Sequence, residues 1–339
     1  MMSRQKAVGW SIAMAAMAAC SPAPPARPAP KATATSSSAA PPSRSAATTT
    51  SAPSAGSVAR PTKPLTVAEA RAYMVALVNR DRAKLGLAPV SLDDGAATRA
   101  GQAHADDMAR LGYLGHWGSD GSVPEQRHTE AGGVDMVLEN ALCYVDERTR
   151  TLDADPRIDP AQIERAEQMF FEELPPNDGH RRNILKPSHT RVGIGIAQPV
   201  ATPTEIAVPC IAQEFVDGYG EYEPLPREAK VGATLHVAGR LAANVAPTGV
   251  GLARVDLPVK LAPAELNKRR TYPVPRAYQM YWTKGFVTPI PLDVQGDRFA
   301  IDVPLSDGGK PGLYEVSVWA KLPGATDHTI VGLRTIVVR

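Results

Sequence analysis

Apolar positions change their spacing once along this chain, and the change divides it. From residue 65 to about 217 they fall into helical runs and short apolar stretches; beyond 217 they alternate with period two between Pro and Gly breaks. In the first region, Thr66-x-x-Glu69 has the form of a capping box, and Ala70, Tyr73, Met74, Leu77 and Val78 recur at helical spacing until Gly86 ends the run. A second helix is predicted over 92–111, opening at Asp93 and stopping before Gly112, with Ala96, Ala97, Ala100 and Ala103 offering close packing. After a long loop, Asp159 followed by Pro160 caps a third helix that runs to about Glu173. Strands over 191–197 and 205–216, joined through 199–203, close the unit. Helices interleaved with a small sheet indicate an α/β/α or α+β domain.

Residues 218–339 predict a different architecture. In Phe299-Ala300-Ile301-Asp302-Val303 and Tyr314-Glu315-Val316-Ser317-Val318 every second side chain is apolar, as half-buried strands require. Segments 233–241, 298–304, 313–321 and 328–338 read as strands of an immunoglobulin-like β-sandwich. Trp282 and Trp319 read as its core residues.

Residues 21–64 have no periodic apolar face and consist almost wholly of Ala, Pro, Ser and Thr, so they read as a disordered tether. Ahead of it, Arg4 and Lys6 precede an apolar run over 7–19 that is too short to span a bilayer permanently. Ala18-Ala19-Cys20 resembles the bacterial lipobox, which makes 1–20 a lipoprotein signal with Cys20 as the lipidated residue and the membrane as a partner. An ordinary secretory signal cut nearby is the alternative, and both routes export the protein. The expected location is therefore the cell envelope, lipid-anchored through Cys20, or the secreted fraction if Cys20 is unmodified. Lys and Arg number 37 against 35 Asp and Glu, a net charge of +2, which leaves no basic excess for nucleic acid. Export also changes what Cys143 and Cys210 can do, because an oxidising compartment lets thiols stay paired. One bridge and two separate buried thiols are the two readings.

The common hydrolase and nucleotide signatures are absent: there is no His-Glu-x-x-His, Gly-x-Ser-x-Gly, glycine-rich phosphate loop or Cys-x-x-Cys. Asp153, Asp155 and Asp159 lack the glycine and terminal glutamate of an EF-hand and read as a solvated loop ending in an N-cap. Two histidines in polar, glycine-bearing loops remain, His116 and His180, with Glu139 and Glu173 as candidate acids. On the third helix Glu173 shares the face of Ala166, Met169 and Phe170, whereas Glu172 turns toward Arg165 and Gln168. His104 and His189 read as structural residues.

Asn79-Arg80-Asp81-Arg82, His104-Ala105-Asp106-Asp107-Met108, Gly115-His116, Ser119-Asp120-Gly121, Arg127, Leu138-Glu139-Asn140, the run from Gly179 to Leu185, Val192-Gly193-Ile194-Gly195 and Gln213-Glu214-Phe215 follow one another in a telling order. This ordered set resembles bacterial members of the CAP superfamily, the SCP or cysteine-rich secretory, antigen 5 and pathogenesis-related-1 domain, over about 65–217. The resemblance implies a three-layer α/β/α sandwich with a cleft of two histidines and two glutamates. It places His116, Glu139 and His180 by motif and Glu173 as the second acid. Glu172 stays open, since the stretch before His180 is longer than the usual bacterial turn. Leu138 stands where glycine commonly precedes Glu-Asn. In some family members the histidines bind a divalent metal, which implies His116 and His180 as ligands, with zinc the best match to two imidazoles. Two functional classes follow. One is an envelope-anchored binding module for a cell-wall, lipid or protein ligand; the other is a metal-assisted hydrolase of a peptide or ester using His116, His180 and Glu139.

Overall fold

The computed structural model of the protein describes residues 58–203, 207–269 and 271–339. Cys20, the rest of the expected export signal and residues 21–57 of the expected tether lie outside the described residues, as do 205 and 206 of the expected second strand. Within the remainder of the expected tether, Val58 rests on the first core and Arg60 pairs with Glu164.

The first unit runs α1 (Val67–Ala83), β1 (Ser91–Leu92), α2 (Ala96–Leu111), α3 (Pro124–Glu130), β2 (Met136–Leu142), α4 (Pro160–Phe171), α5 (Gly179–Ile184), β3 (Arg191–Ala197) and β4 (Cys210–Asp217). Its capping box forms as written: Glu69 N–H donates to Thr66 Oγ1 at 3.2 Å, and Thr66 N–H donates to Glu69 Oε2 at 2.8 Å. The face carrying Ala70, Tyr73, Met74, Leu77 and Val78 is buried. α2 begins four residues later than its spacing suggests. Ser91 and Leu92 pair in parallel with β3 instead, and the Asp93 carboxylate accepts the Gly95 N–H at 2.9 Å, closing a turn between strand and helix.

The sheet order is β1-β3-β4-β2, with β4 antiparallel to both neighbours. Along β3, Val192, Ile194 and Ile196 enter a core with Met74 and Leu77 of α1, Phe170 of α4 and Ile184 of α5. The intervening glycines face α2. A Cβ at Gly195 would lie 2.1 Å from the Gly101 backbone, and one at Gly193 would lie 2.3 Å from that of Ala97. Branched residues on one face and glycines on the other thus let helices seat at different depths on the two sides of one sheet. The result is a three-layer α/β/α arrangement. Cys143 and Cys210 are joined by a disulfide, which links the end of β2 to the first residue of β4 and settles the pairing that the sequence leaves open.

Two expectations need correction here. α4 stops at Phe171, so Glu173 is not on its helical face; it lies past the cap residue Glu172. The segment around His180 is not an open loop, because Gly179–Ile184 forms a short helix.

The second unit runs β5 (Gly220–Tyr222), β6 (Glu228–Ala229), β7 (Thr234–Leu241), β8 (Ala246–Val255), α6 (Pro263–Leu266), β9 (Gln279–Trp282), β10 (Asp293–Gln295), β11 (Arg298–Pro304), β12 (Gly312–Lys321) and β13 (His328–Val338). Two sheets, β10-β11-β7-β5 and β6-β13-β12-β8-β9, enclose a core in which Val237, Phe299 and Ile301 meet Val250, Val316 and Val331. The fold is an all-β pair of facing sheets. β8 escapes prediction because Pro247, Gly249 and Gly251 read as breaks. Those glycines have a packing role: a Cβ at Gly249 would lie 2.8 Å from the Trp282 ring. Trp282 and Trp319 are therefore not core residues. They are half-buried, with ring centroids 6.4 Å apart, and belong to the layer packed over the β8 glycines rather than to the apolar core.

The two units share a buried seam. Asp135 and Gly332 form an isolated antiparallel bridge, and Thr335 of β13 donates its N–H to Thr129 Oγ1 of α3 at 3.1 Å. Between β8 and β9, residues 256–278 leave the second unit and cross the first. Leu266 of α6 is buried with Ala105, Met108 and Tyr113, and Leu261 N–H donates to Ser119 O at 2.8 Å.

Candidate functional site

The site brings together buried polar groups of β2, α3, α5 and the segment that follows α2. His116 follows α2 in a tight segment, and its Nδ1 lies 2.9 Å from Oε1 of Glu139 on β2. The other Glu139 oxygen accepts Arg127 Nη2 at 2.7 Å. Arg127, on α3, also donates to Ser122 O at 3.0 Å and His116 O at 3.1 Å, so one guanidinium fixes both the acid and the histidine backbone. Leu138 and Glu139 sit in an unbroken antiparallel register with Phe215 and Glu214, so leucine in the place of glycine leaves the strand regular.

Burial alone would push the Glu139 carboxyl up, but His104, Arg127 and His116 outweigh it and hold the group well below the usual carboxylate range. Its cross-strand partner behaves oppositely. Burial and the adjacent Glu139 push Glu214 well above its ordinary value, the opposite direction to its cross-strand neighbour. His104 Nε2 lies 2.8 Å from Gly115 O and 3.6 Å from Glu139 Oε1. Burial lowers its pKa to about 4, which makes it a neutral ring at pH 7 that donates Nε2–H to the carbonyl.

The second histidine is held from the other side. His180 Nδ1 lies 2.6 Å from Glu173 Oε1, and its backbone N–H donates to Glu173 Oε2 at 2.9 Å. Phe170 packs edge-on against the ring at 4.9 Å. Glu172 is turned away and accepts Gln168 Nε2 at 2.9 Å, so among the two acids it is Glu173 that contacts the histidine. The imidazole centroids of His116 and His180 are 6.3 Å apart.

A chain of amides sets that separation. Asn183 Nδ2 donates to Asn140 Oδ1 at 2.9 Å, Asn140 Nδ2 to Gln213 Oε1 at 2.9 Å, and Gln213 Nε2 to Glu167 Oε2 at 2.7 Å. These bonds tie α5, β2, β4 and α4 together under the site. Arg82 extends the support by donating Nη1 to Ile184 O at 2.7 Å and Lys186 O at 3.0 Å, which pins the end of α5. His189 is remote, bonded through Nδ1 to Asp217 at 2.7 Å, and Asp153, Asp155 and Asp159 are exposed.

With each Nδ1 set against a carboxylate, the Nε2 edges of His116 and His180 are left for another partner, and among the described residues neither Nε2 makes a hydrogen bond. Imidazoles backed by carboxylates are the donor type that suits a divalent transition metal. Among the described residues, no group of three or more His, Cys, Asp and Glu side chains is arranged to hold a metal. Beside the two imidazoles lies a cavity of about 40 Å³, lined by His116, Glu125, Glu139 and Asn183 and closed by Tyr272 and Val274 from the second unit.

Sequence reasoning missed several of these neighbours. Arg127 was present in the ordered motifs without a role, and His104 proves structural while touching the acid. Glu125 and Tyr272 lie 147 positions apart and carry no local signal for their contact. No curated protein matches the chain. Residues 75–202 match the model of the CAP family, described as the cysteine-rich secretory protein family, and span most of α1 through β3 with His116, Glu139, Glu173 and His180 among them. The chain thus carries a CAP domain of the cysteine-rich secretory protein family at residues 75–202.

Proposed function

We propose that this protein is an exported, envelope-anchored binding protein whose CAP cleft takes a divalent metal ion through Nε2 of His116 and Nε2 of His180, zinc being the best chemical match. The observation that carries the reading is the paired arrangement of carboxylate, Nδ1 and free Nε2 at both histidines. Glu139 and Glu173 orient the rings and raise their basicity. When bound, the ion supplies a Lewis-acidic point with open positions for a ligand oxygen. That ligand is a cell-wall, lipid or protein component; anchoring through a lipid on Cys20 would keep the cleft near the envelope. The disulfide fits an oxidising, extracellular setting.

The environment of Glu139 weighs against a metal-assisted hydrolase. A carboxylate held below its usual range and occupied by Arg127 and His116 is a weak general base.

Zinc titration by calorimetry tests the reading, using metal-stripped wild type, His116→Ala and His180→Ala. One equivalent in the wild type and loss of binding in both variants is expected. No uptake by the wild type, or equal uptake by the variants, would overturn it.

A further inference from the structure

The loop from β9 to β10 turns its apolar side chains outward. Val287 is fully exposed, Phe286 is 60% exposed and Ile290 42%. Local sequence holds them there. Gly285, with φ at +100°, lets the chain turn over 283–286, where Phe286 N–H donates to Thr283 O at 3.4 Å. The Thr288 hydroxyl accepts the Trp282 N–H at 3.1 Å and donates to Ile290 O at 2.8 Å, which pins the far limb of the loop. Buried Leu292 then returns the chain to the sheet, its N–H donating to Trp282 O at 2.8 Å. A loop ordered in this way keeps hydrocarbon in water instead of folding it in, which marks a contact surface.

The surroundings of the apex are graded. Trp282 and Trp319 stand half-buried at its base, and the Phe286 ring lies 6.2 Å from that of Trp282. Strand register sets two further turns at this end of the sheet, because Trp282 pairs with Gly249 and Lys321 pairs with both Ala246 and His328. Lys284, exposed on the apex, is the only charged residue between 278 and 292, and the 242–245 turn has none. The acids Asp293 and Asp327 stand at the base, on the first residue of β10 and the residue before β13. A polysaccharide would ask for hydrogen-bonding groups where the apex offers hydrocarbon. Aliphatic and phenyl groups outermost, indoles behind them and a lysine that can extend its amine follow the order of acyl chains, interface and headgroup phosphates.

We propose that the 283–291 loop is a membrane-docking tip, inserting Phe286, Val287 and Ile290 into the outer acyl region of a phospholipid bilayer while Lys284 meets headgroup phosphates. So few side chains give weak, reversible binding, the strength of a second membrane signal and not of a sole anchor. The tip gives the second unit a role of its own, independent of metal binding in the CAP cleft.

Hydrogen–deuterium exchange on the full chain, read by mass spectrometry of peptides covering 283–292, follows the loop itself whatever the N-terminal residues do. Vesicles of phosphatidylcholine and phosphatidylglycerol are expected to slow exchange there by a factor that grows with lipid concentration. That factor is expected to stay near one when Phe286→Ser, Val287→Ser and Ile290→Ser are combined. Lys284→Gln is expected to lower it about fivefold on these vesicles and to leave it unchanged on phosphatidylcholine alone. No slowing in the wild type, equal slowing in the serine variant, or a Lys284→Gln factor equal to wild type on the anionic vesicles would overturn the tip. So would slowing that appears without vesicles as protein concentration rises, which would make a second copy of the chain the occupant.

Discussion

Glu173 holds His180 at two points at once, with Oε1 2.6 Å from the ring Nδ1 and Oε2 accepting the backbone N–H at 2.9 Å. One carboxylate thereby fixes both the first turn of α5 and the direction of the imidazole. Glu173→Gln keeps the size of the side chain and loses the charge that sets the tautomer. Zinc affinity measured by calorimetry is expected to fall roughly 10- to 100-fold, with the circular dichroism spectrum unchanged. Glu172→Gln, altering a residue whose carboxylate accepts Gln168 Nε2, is the control and leaves affinity at the wild-type level.

Gly195→Ala probes the glycine face of β3. The new Cβ would meet the Gly101 backbone at 2.1 Å, and backbone cannot step aside as a flexible side chain can. Overpacking of this kind costs about 1–3 kcal/mol or more. Urea unfolding is expected to show the loss as a lower midpoint at unchanged slope.

Glu167 lies fully buried beneath the amide chain. Burial, reinforced by Asp81, raises its pKa from the ordinary 4.5 to about 8 despite the bond from Gln213. The folded state therefore binds a proton that the unfolded state releases above pH 4.5, and stability falls as pH rises toward 8. Glu167→Gln removes this dependence. The variant is expected to match the wild type at pH 4 and exceed it by on the order of 3 kcal/mol at pH 7, as read from urea midpoints at the two pH values. A constant difference across that range would refute the assignment.

The Cys143 to Cys210 bridge closes a loop with a sequence separation of 67. Chain entropy assigns such a loop about 4 kcal/mol. Cys143→Ser with Cys210→Ser is expected to lose a stabilisation of that order, and reductant is expected to lower the wild-type midpoint while leaving the double variant unmoved.

Local patterns reveal much of the CAP domain, for reasons visible in single elements. The capping box at Thr66 and Glu69 and the apolar stripe of α1 need only neighbours in sequence. The β3 alternation of branched residues with glycines already encodes which face meets a bulky core and which meets a helix backbone. Errors arose where a tertiary contact overrode a local preference. Leu92 pairs with β3 rather than opening α2, and Gly249 and Gly251 lie inside β8 because they make room for indoles. Helical spacing puts Glu173 on the inward face of a helix running to that residue, whereas α4 ends at Phe171 and the acid reaches His180 through the loop beyond it.

What the sequence determined by itself was the two-part architecture and the short roster of histidines and acids, since periodicity and ordered motifs are properties of the chain alone. Tertiary structure decided the rest. Whether Cys143 meets Cys210, which acid meets His180, how Arg127 permits Glu139 to face Glu214 across the strands, and that Tyr272 lines the cavity all depend on groups far apart in sequence. Their energies are set by burial and by partners that exist only once the chain has folded.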